Sequence, residues 1–216
     1  MIREKFNIKS LAGIANWADE VKKKRFESRW HYSNIQEGKW TYKKSRDCPH
    51  NDCVVEKVQE YTRQVERGGL SRIKRKEAVM YLVHFMGDLH QPLHLGDKRD
   101  RGGNRLRLFY RGRKTNLHAL WDGGLIYRRG QSLLEYALNI DRRISEEDRV
   151  GWAKGTVIDW ANESRKIALA DVYSQVNEGV VQLDKNKISI FREIIDRRLA
   201  QAGIRLAHVL RRAVAG

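Results

Sequence analysis

The chain has 216 residues, enough for a sizeable core, and its 41% hydrophobic and 9% aromatic content is ordinary for a globular protein and argues against disorder. Lys and Arg number 43 against 27 Asp and Glu, a net charge of +16, which attracts nucleic acid or an anionic membrane surface, or merely solvates a basic face. No run of roughly 18 apolar residues exists to span a membrane, and the start, Met1 to Phe6, lacks the apolar stretch of a signal peptide.

Leu11, Ile14, Ala15, Ala18 and Val21 recur at helical spacing and predict a helix near 8–25. Residues 28–50 read as irregular, punctuated by Gly38 and Pro49. Cys48 and Cys53 fall at the end of that stretch. Their spacing alone leaves a small disulfide loop, which implies an oxidising compartment, and a pair of free thiols both open. Val54, Val58, Tyr61, Thr62 and Val65 line one face of a second helix, ended by Gly68-Gly69. Ser71 caps a third that runs to about Leu89, and its second half, Ala78 to Met86, is apolar all round, as in a buried helix. Arg105 to Tyr110 partly alternates and is followed by Arg111-Gly112-Arg113, which predicts a short hairpin. Further helices are expected near 115–127, 131–143, 156–173 and 187–212. Ser145-Glu146-Glu147-Asp148 has the form of a capping box opening one more. Only Pro49 and Pro92 interrupt this pattern, and no repeat or boundary divides it. The expected architecture is a single all-α domain over 1–216, a helical bundle with one short β hairpin.

Chemistry concentrates in a few places. His84 and Asp88 stand four apart on the buried third helix, and so share a face. His94 follows Gln91-Pro92-Leu93, where Pro92 turns the chain. His118 and Asp122 are again four apart. A buried carboxylate needs a partner. For one such pair, an Asp–His hydrogen bond in the core suffices. Two pairs with a third imidazole beside a turn form a metal-ligand pattern of the kind zinc accepts. Asp19, beside the apolar face of the first helix, and His31, between Trp30 and Tyr32, form a weaker upstream cluster. His50, His90 and His208 lack such a setting and read as surface or supporting residues.

Together these segments resemble the S1/P1 nuclease family of zinc-dependent single-strand nucleases, its bacterial members above all. The matching stretches are Ala15 to Asp19, His31-Tyr32, Cys48 to Val55 (CPHNDCVV), Leu82 to His94 (LVHFMGDLHQPLH), Gly102-Gly103-Asn104, Thr115 to Asp122 (TNLHALWD) and Trp160 to Ser164. They keep their order from about residue 10 to about residue 210. The resemblance implies the helical fold shared with zinc phospholipase C. It assigns Asp19, His31, His84 and Asp88 to one zinc, and His94, His118 and Asp122 to another, with Asp88 bridging to a third. Asp19 and Lys22 match catalytic positions, and Lys22 also sits near the scissile phosphate. Tyr32 matches an aromatic that stacks on a base, Asn104 a polar group near the substrate, and Cys48–Cys53 a family disulfide.

The activity so implied is endonuclease and 3′-nucleotidase cleavage of single-stranded DNA or RNA to 5′-phosphate products, in a periplasmic or secreted setting. Family members begin with a Trp and a nearby His that complete the third zinc site, and carry a second, long-range disulfide. Neither has a counterpart here. The expectation is therefore an N-terminally truncated chain that binds about two zinc ions. The rival readings are a zinc phospholipase C-like phosphodiesterase and an inactive, truncated nucleic-acid-binding fragment.

Overall fold

The computed structural model describes residue 4 and residues 6–67, 69–127, 131–176 and 183–215. Part of the start read for a signal peptide, and Gly68 of the Gly68-Gly69 stop, lie outside these residues. The described chain is all-α apart from one hairpin. Its longer helices are α1 (Trp17–Val21), α2 (Val54–Arg67), α3 (Arg72–His90), α4 (Leu133–Asp141), α5 (Glu146–Trp152), α6 (Val157–Ile167) and α7 (Lys185–Ala215), with single helical turns at Lys44–Asp47 and Leu117–Ala119. The two strands, β1 (Arg107–Tyr110) and β2 (Arg113–Asn116), are antiparallel, with Arg107 opposite Asn116 and Tyr110 opposite Arg113.

The helix starts obey the capping chemistry of their sequences. Ser71 Oγ accepts the Lys74 amide and opens α3. Ser132 with Glu135, and Thr156 with Asp159, form full capping boxes on α4 and α6. Ser145 caps α5 through the Asp148 amide, but Asp148 answers its hydroxyl, so the box expected there is only half made. The expected first helix is broken into a 3-10 turn, Ala12–Ile14, and the five-residue α1. Its interruption leaves the Ala15 carbonyl facing His84 Nδ1 at 2.6 Å. The helix expected near 115–127 begins later, because strand pairing holds the chain to Asn116, whose side chain then caps the turn Leu117–Ala119. α6 ends at Ile167 and widens into a π turn, Ala168–Val172.

Two large hydrophobic clusters organise the interior, with a small third around Tyr136, Ile140 and Ala200. The first joins α2, α3, the end of α7 and part of α6, with Val79, Leu82, Phe85 and Leu89 of α3 fully buried. Burying each such side chain contributes roughly 1.5–3 kcal/mol. The second joins the hairpin, the turn around Trp121, the π turn and the first half of α7, with Leu108, Leu117 and Phe191 at its centre. The turn Pro92–Leu95 stitches them together: Leu93 belongs to the second cluster and Leu95 to the first. His94, between these two leucines, is thereby fixed at the seam.

Candidate active site

Each group arrives at the seam by a separate route. α3 brings His84 and Asp88 from the first cluster, on one face as their spacing requires. Helical turns beyond β2 bring His118 and Asp122 from the second. Segment 31–35 is laid beside segment 94–98 by bonds from the Ser33 amide to the His94 carbonyl (2.8 Å), Ile35 to Gly96 (2.9 Å) and Lys98 to Ile35 (2.9 Å). That pairing carries His31 and Tyr32 to the site from a stretch with no regular secondary structure of its own beyond a 3-10 turn.

The side chains meet in a continuous chain of contacts. His31 Nδ1 lies 3.0 Å from His84 Nε2 and 3.0 Å from Asp88 Oδ2, and Asp19 Oδ1 lies 3.5 Å from the former and 3.6 Å from the latter imidazole. Asp88 Oδ2 is 3.1 Å from His84 Nε2, and its other oxygen is 3.4 Å from His94 Nδ1. His94 Nε2 and His118 Nε2 are each 3.3 Å from Asp122. The His94 and His118 rings stack with centroids 5.1 Å apart. Asp88 thus stands between two groups: Asp19, His31 and His84 on one side, and His94, His118 and Asp122 on the other.

The electrostatics of this cluster are those of anions held among imidazoles. Burial opposes charge on Asp88, but His94, His31 and His84 outweigh it and hold the carboxyl well below its usual range. Burial likewise opposes the His84 cation. Asp88, the Ala15 carbonyl and Asp19 prevail and lift the imidazole to about 9. His94 is also raised, by Asp88 and Asp122 against its burial. His118 moves the other way, lowered by burial and by neighbouring His94. Asp122 is lowered, as His94 and His118 overcome its desolvation.

The donor set fits zinc. Imidazole nitrogens and carboxylate oxygens are its ligands outside thiolate sites, and within each group the ligand atoms lie within 4.8 Å of one another. Two imidazole nitrogens face each other at 3.0 Å, an arrangement that a shared cation satisfies. Buried His31 Nε2 and His94 Nδ1 have no hydrogen-bond partner. The outer nitrogens of the other two imidazoles are fixed by backbone, His84 Nδ1 by Ala15 and His118 Nδ1 by the Gly102 carbonyl (2.7 Å), which is how ligating histidines are aimed. Gly102 must be glycine for this. It sits at φ +62°, and a Cβ there would collide with the Leu93 carbonyl.

Above the two groups opens a cavity of about 650 Å³. Lys22, Tyr32 and Asn104 line it, so every residue singled out in the sequence except His84 and the two cysteines borders this space. Lys22 bonds to Asp19 at 2.6 Å. Tyr32 is 37% exposed, enough to offer a ring face. Asn104 donates its amide to the Arg101 carbonyl at 2.9 Å. Cys48 and Cys53 are joined as a disulfide, buried at the start of α2. A larger cleft of about 1230 Å³ between α4, α5 and α7 contains none of the clustered groups, though His208 borders it. His50 is exposed. His90 is buried, its Nε2 held at 2.8 Å by Arg205.

The sequence reading passed over Gln91, Asn34 and Arg101. Gln91 sends its amide to Asp122 at 2.7 Å while its carbonyl accepts from Leu93. Asn34 and Arg101 border the cavity. Only proximity to Tyr32 and to Gly102-Gly103-Asn104 could have flagged them.

Comparison with known proteins identifies the family. The S1/P1 Nuclease family model matches residues 2–215. Endonuclease 3 of Arabidopsis thaliana is 34% identical over 229 residues, covering 94% of this chain and 76% of its own. Nuclease P1 of Penicillium citrinum is 27% identical, with 92% and 82% covered, and nuclease S1 of Aspergillus oryzae 27%, with 91% and 77%. The chain therefore belongs to the S1/P1 nuclease family, and it is a nuclease, a hydrolase of phosphodiester bonds in nucleic acid.

Proposed function

We propose that this nuclease is zinc-dependent and hydrolyses single-stranded DNA or RNA, and 3′-nucleotides, to products bearing a 5′-phosphate. The observation that carries the proposal is the meeting of two three-residue ligand groups on one buried carboxylate, beneath a cavity lined by a lysine and an aromatic ring. Asp19, His31 and His84 would hold one zinc, and His94, His118 and Asp122 a second, with Asp88 between them. Zinc, when bound, supplies Lewis-acid activation of water and stabilisation of phosphate oxygens.

The chain's own residues do the rest. Ala15 and Gly102 fix the tautomers of His84 and His118, so His84 presents Nε2 to His31 and Asp88, and His118 presents Nε2 to Asp122. Gln91 holds Asp122 in place. Lys22 places its ammonium at the cavity wall, where it stabilises charge that develops on a phosphate. Tyr32 stacks on a base that has been splayed from its neighbours, which favours single strands over duplex. Asn104, anchored through its amide, keeps its carbonyl oxygen for a substrate donor. The Cys48–Cys53 disulfide supports a role in an oxidising compartment. No helix among the described residues is long and apolar enough to cross a membrane. The family match from 2 to 215 supports reading the chain as one nuclease domain.

The test is zinc titration of the chelator-stripped protein, with product analysis on a single-stranded oligonucleotide and on a choline phosphodiester. Uptake of about two zinc per chain with release of 5′-phosphate nucleotides is expected. Release of choline phosphate instead, or hydrolysis unaffected by chelation, would refute the proposal.

A further inference from the structure

We propose that Arg101 grips a phosphate neighbouring the scissile one, and so sets a preference for a polynucleotide over a lone 3′-nucleotide. The proposal rests on the site reading given above. Arg101 borders the same cavity as His118, Asp122 and Tyr32, yet it is exposed, whereas His31 and His94 at the floor are buried. It therefore stands at the rim, where a mononucleotide on the floor ends and a longer strand continues.

Its charge is uncommitted. Three other cations have carboxylate partners: Lys22 bonds to Asp19 at 2.6 Å, Arg29 to Asp52 at 2.7 Å and Arg99 to Glu37 at 3.1 Å. Among the described residues, Arg101 has no ion-pair partner. A guanidinium left free beside a phosphate-processing site is suited to bidentate contact with phosphate oxygens.

Its backbone is committed. Arg101 adopts φ +57°, a conformation that costs a non-glycine residue and persists only where surroundings impose it. The imposing bonds run from Gly102 N to the Asp97 carbonyl (2.9 Å), from Arg105 N to the Asp100 carbonyl (3.0 Å) and from Asn104 Nδ2 to the Arg101 carbonyl (2.9 Å). Tyr173 donates to Asp100 at 3.0 Å, and Arg165 pins Asp97 at 2.7 Å. The next residue, Gly102, is the one that aims His118. One rigid corner thus both orients a floor imidazole and fixes the backbone from which the free guanidinium extends. Such preorganisation lowers the ordering cost of gripping a strand.

The test uses zinc-loaded protein with Arg101→Asn, since asparagine tolerates positive φ and spares the corner, and with Arg101→Lys. Steady-state kinetics are read on a single-stranded oligonucleotide and on a 3′-mononucleotide, at several salt concentrations. For Arg101→Asn we expect KM on the oligonucleotide to rise about tenfold, as for loss of a charged hydrogen bond, with kcat held. The magnitude of its log–log salt slope should fall by about 0.7, one phosphate contact on a single strand. Kinetics on the 3′-mononucleotide should not change, and Arg101→Lys should recover part of the loss. An equal loss on both substrates, a fall confined to kcat, or no change on either would overturn the proposal. A parent enzyme inert on both substrates would overturn the reading of the site itself, and the proposal with it.

Discussion

Replacing Arg165 by Met tests whether the corner beside the site is held from within the core. Its guanidinium is completely buried and donates to the Lys39 carbonyl at 2.8 Å, the Leu95 carbonyl at 3.2 Å and Asp97 Oδ1 at 2.7 Å. Methionine fills much of the space but leaves all three acceptors without a donor. Breaking a buried ion pair costs about 3–5 kcal/mol. The Asp97 side chain keeps 18% exposure, which places its share near the lower end of that range. The buried Leu95 carbonyl adds about 1 kcal/mol, whereas Lys39 is exposed and its carbonyl can turn to water. About 4 kcal/mol in total is the reasonable sum, close to a thousandfold in the folding equilibrium. Urea unfolding of the metal-free protein, followed by far-UV dichroism, should show the midpoint lowered by about 2 M at unchanged slope. The Arg165→Met, Asp97→Asn double variant should cost less than the sum of the singles, since each single strands the other partner. A shift under about 1 kcal/mol, or strict additivity, would refute this account of the corner.

Two further outcomes follow from the site. His84→Ala should abolish hydrolysis while leaving salt-sensitive nucleic-acid binding largely intact, because the basic surface supplies the latter; equal loss of both in a folded variant contradicts that division. On the proposed reading zinc displaces a proton from His84, whose imidazole is raised to about 9, so affinity should keep climbing as pH rises towards that value. The sequence alone suggests a loss of affinity centred on the free histidine value, about 6.5. Chelator competition across this interval decides between them, and a plateau above about pH 7 would count against the cluster as described. In the metal-free protein the same raised group stabilises the fold. That contribution is complete below about 6.5 and is lost as pH rises through 9.

Much of the fold was legible because strong local signals agreed with tertiary packing. Ser71 and the apolar run from Ala78 to Met86 located α3 within a residue or two at each end. The paired spacings His84/Asp88 and His118/Asp122 were enough to put the members of each pair on one face, because a helical turn fixes their relation without outside help. The first helix was not legible at its true length. Leu11, Ile14 and Val21 have the right period, yet tertiary contacts divide the segment and present the Ala15 carbonyl to His84. Asn34 and Arg101 were invisible for a different reason. Both come to the cavity on irregular chain, brought there by the parallel bridge between Ile35 and Asp97 and by the corner at Gly102, and no periodicity encodes either.

The cluster also explains why a strongly basic protein keeps three aspartates at the bottom of one cavity. Asp19, Asp88 and Asp122 border it together; Asp19 and Asp122 are half-exposed, but Asp88 is nearly enclosed, where solvent screens its charge poorly. Such a group is stable only with compensating cations inside it. In the metal-free chain protons on the histidines serve, which is why His84 and His94 are both raised while Asp88 and Asp122 are lowered. His118 is the exception, because burial and the neighbouring His94 together outweigh Asp122. Protons and divalent cations are therefore alternative occupants of one electrostatic well. The surrounding basic surface cannot fill that role, since lysines and arginines outside the cavity cannot reach Asp88. It acts instead on the incoming polyanion, drawing the strand towards a floor whose own charge the bound cations must first neutralise.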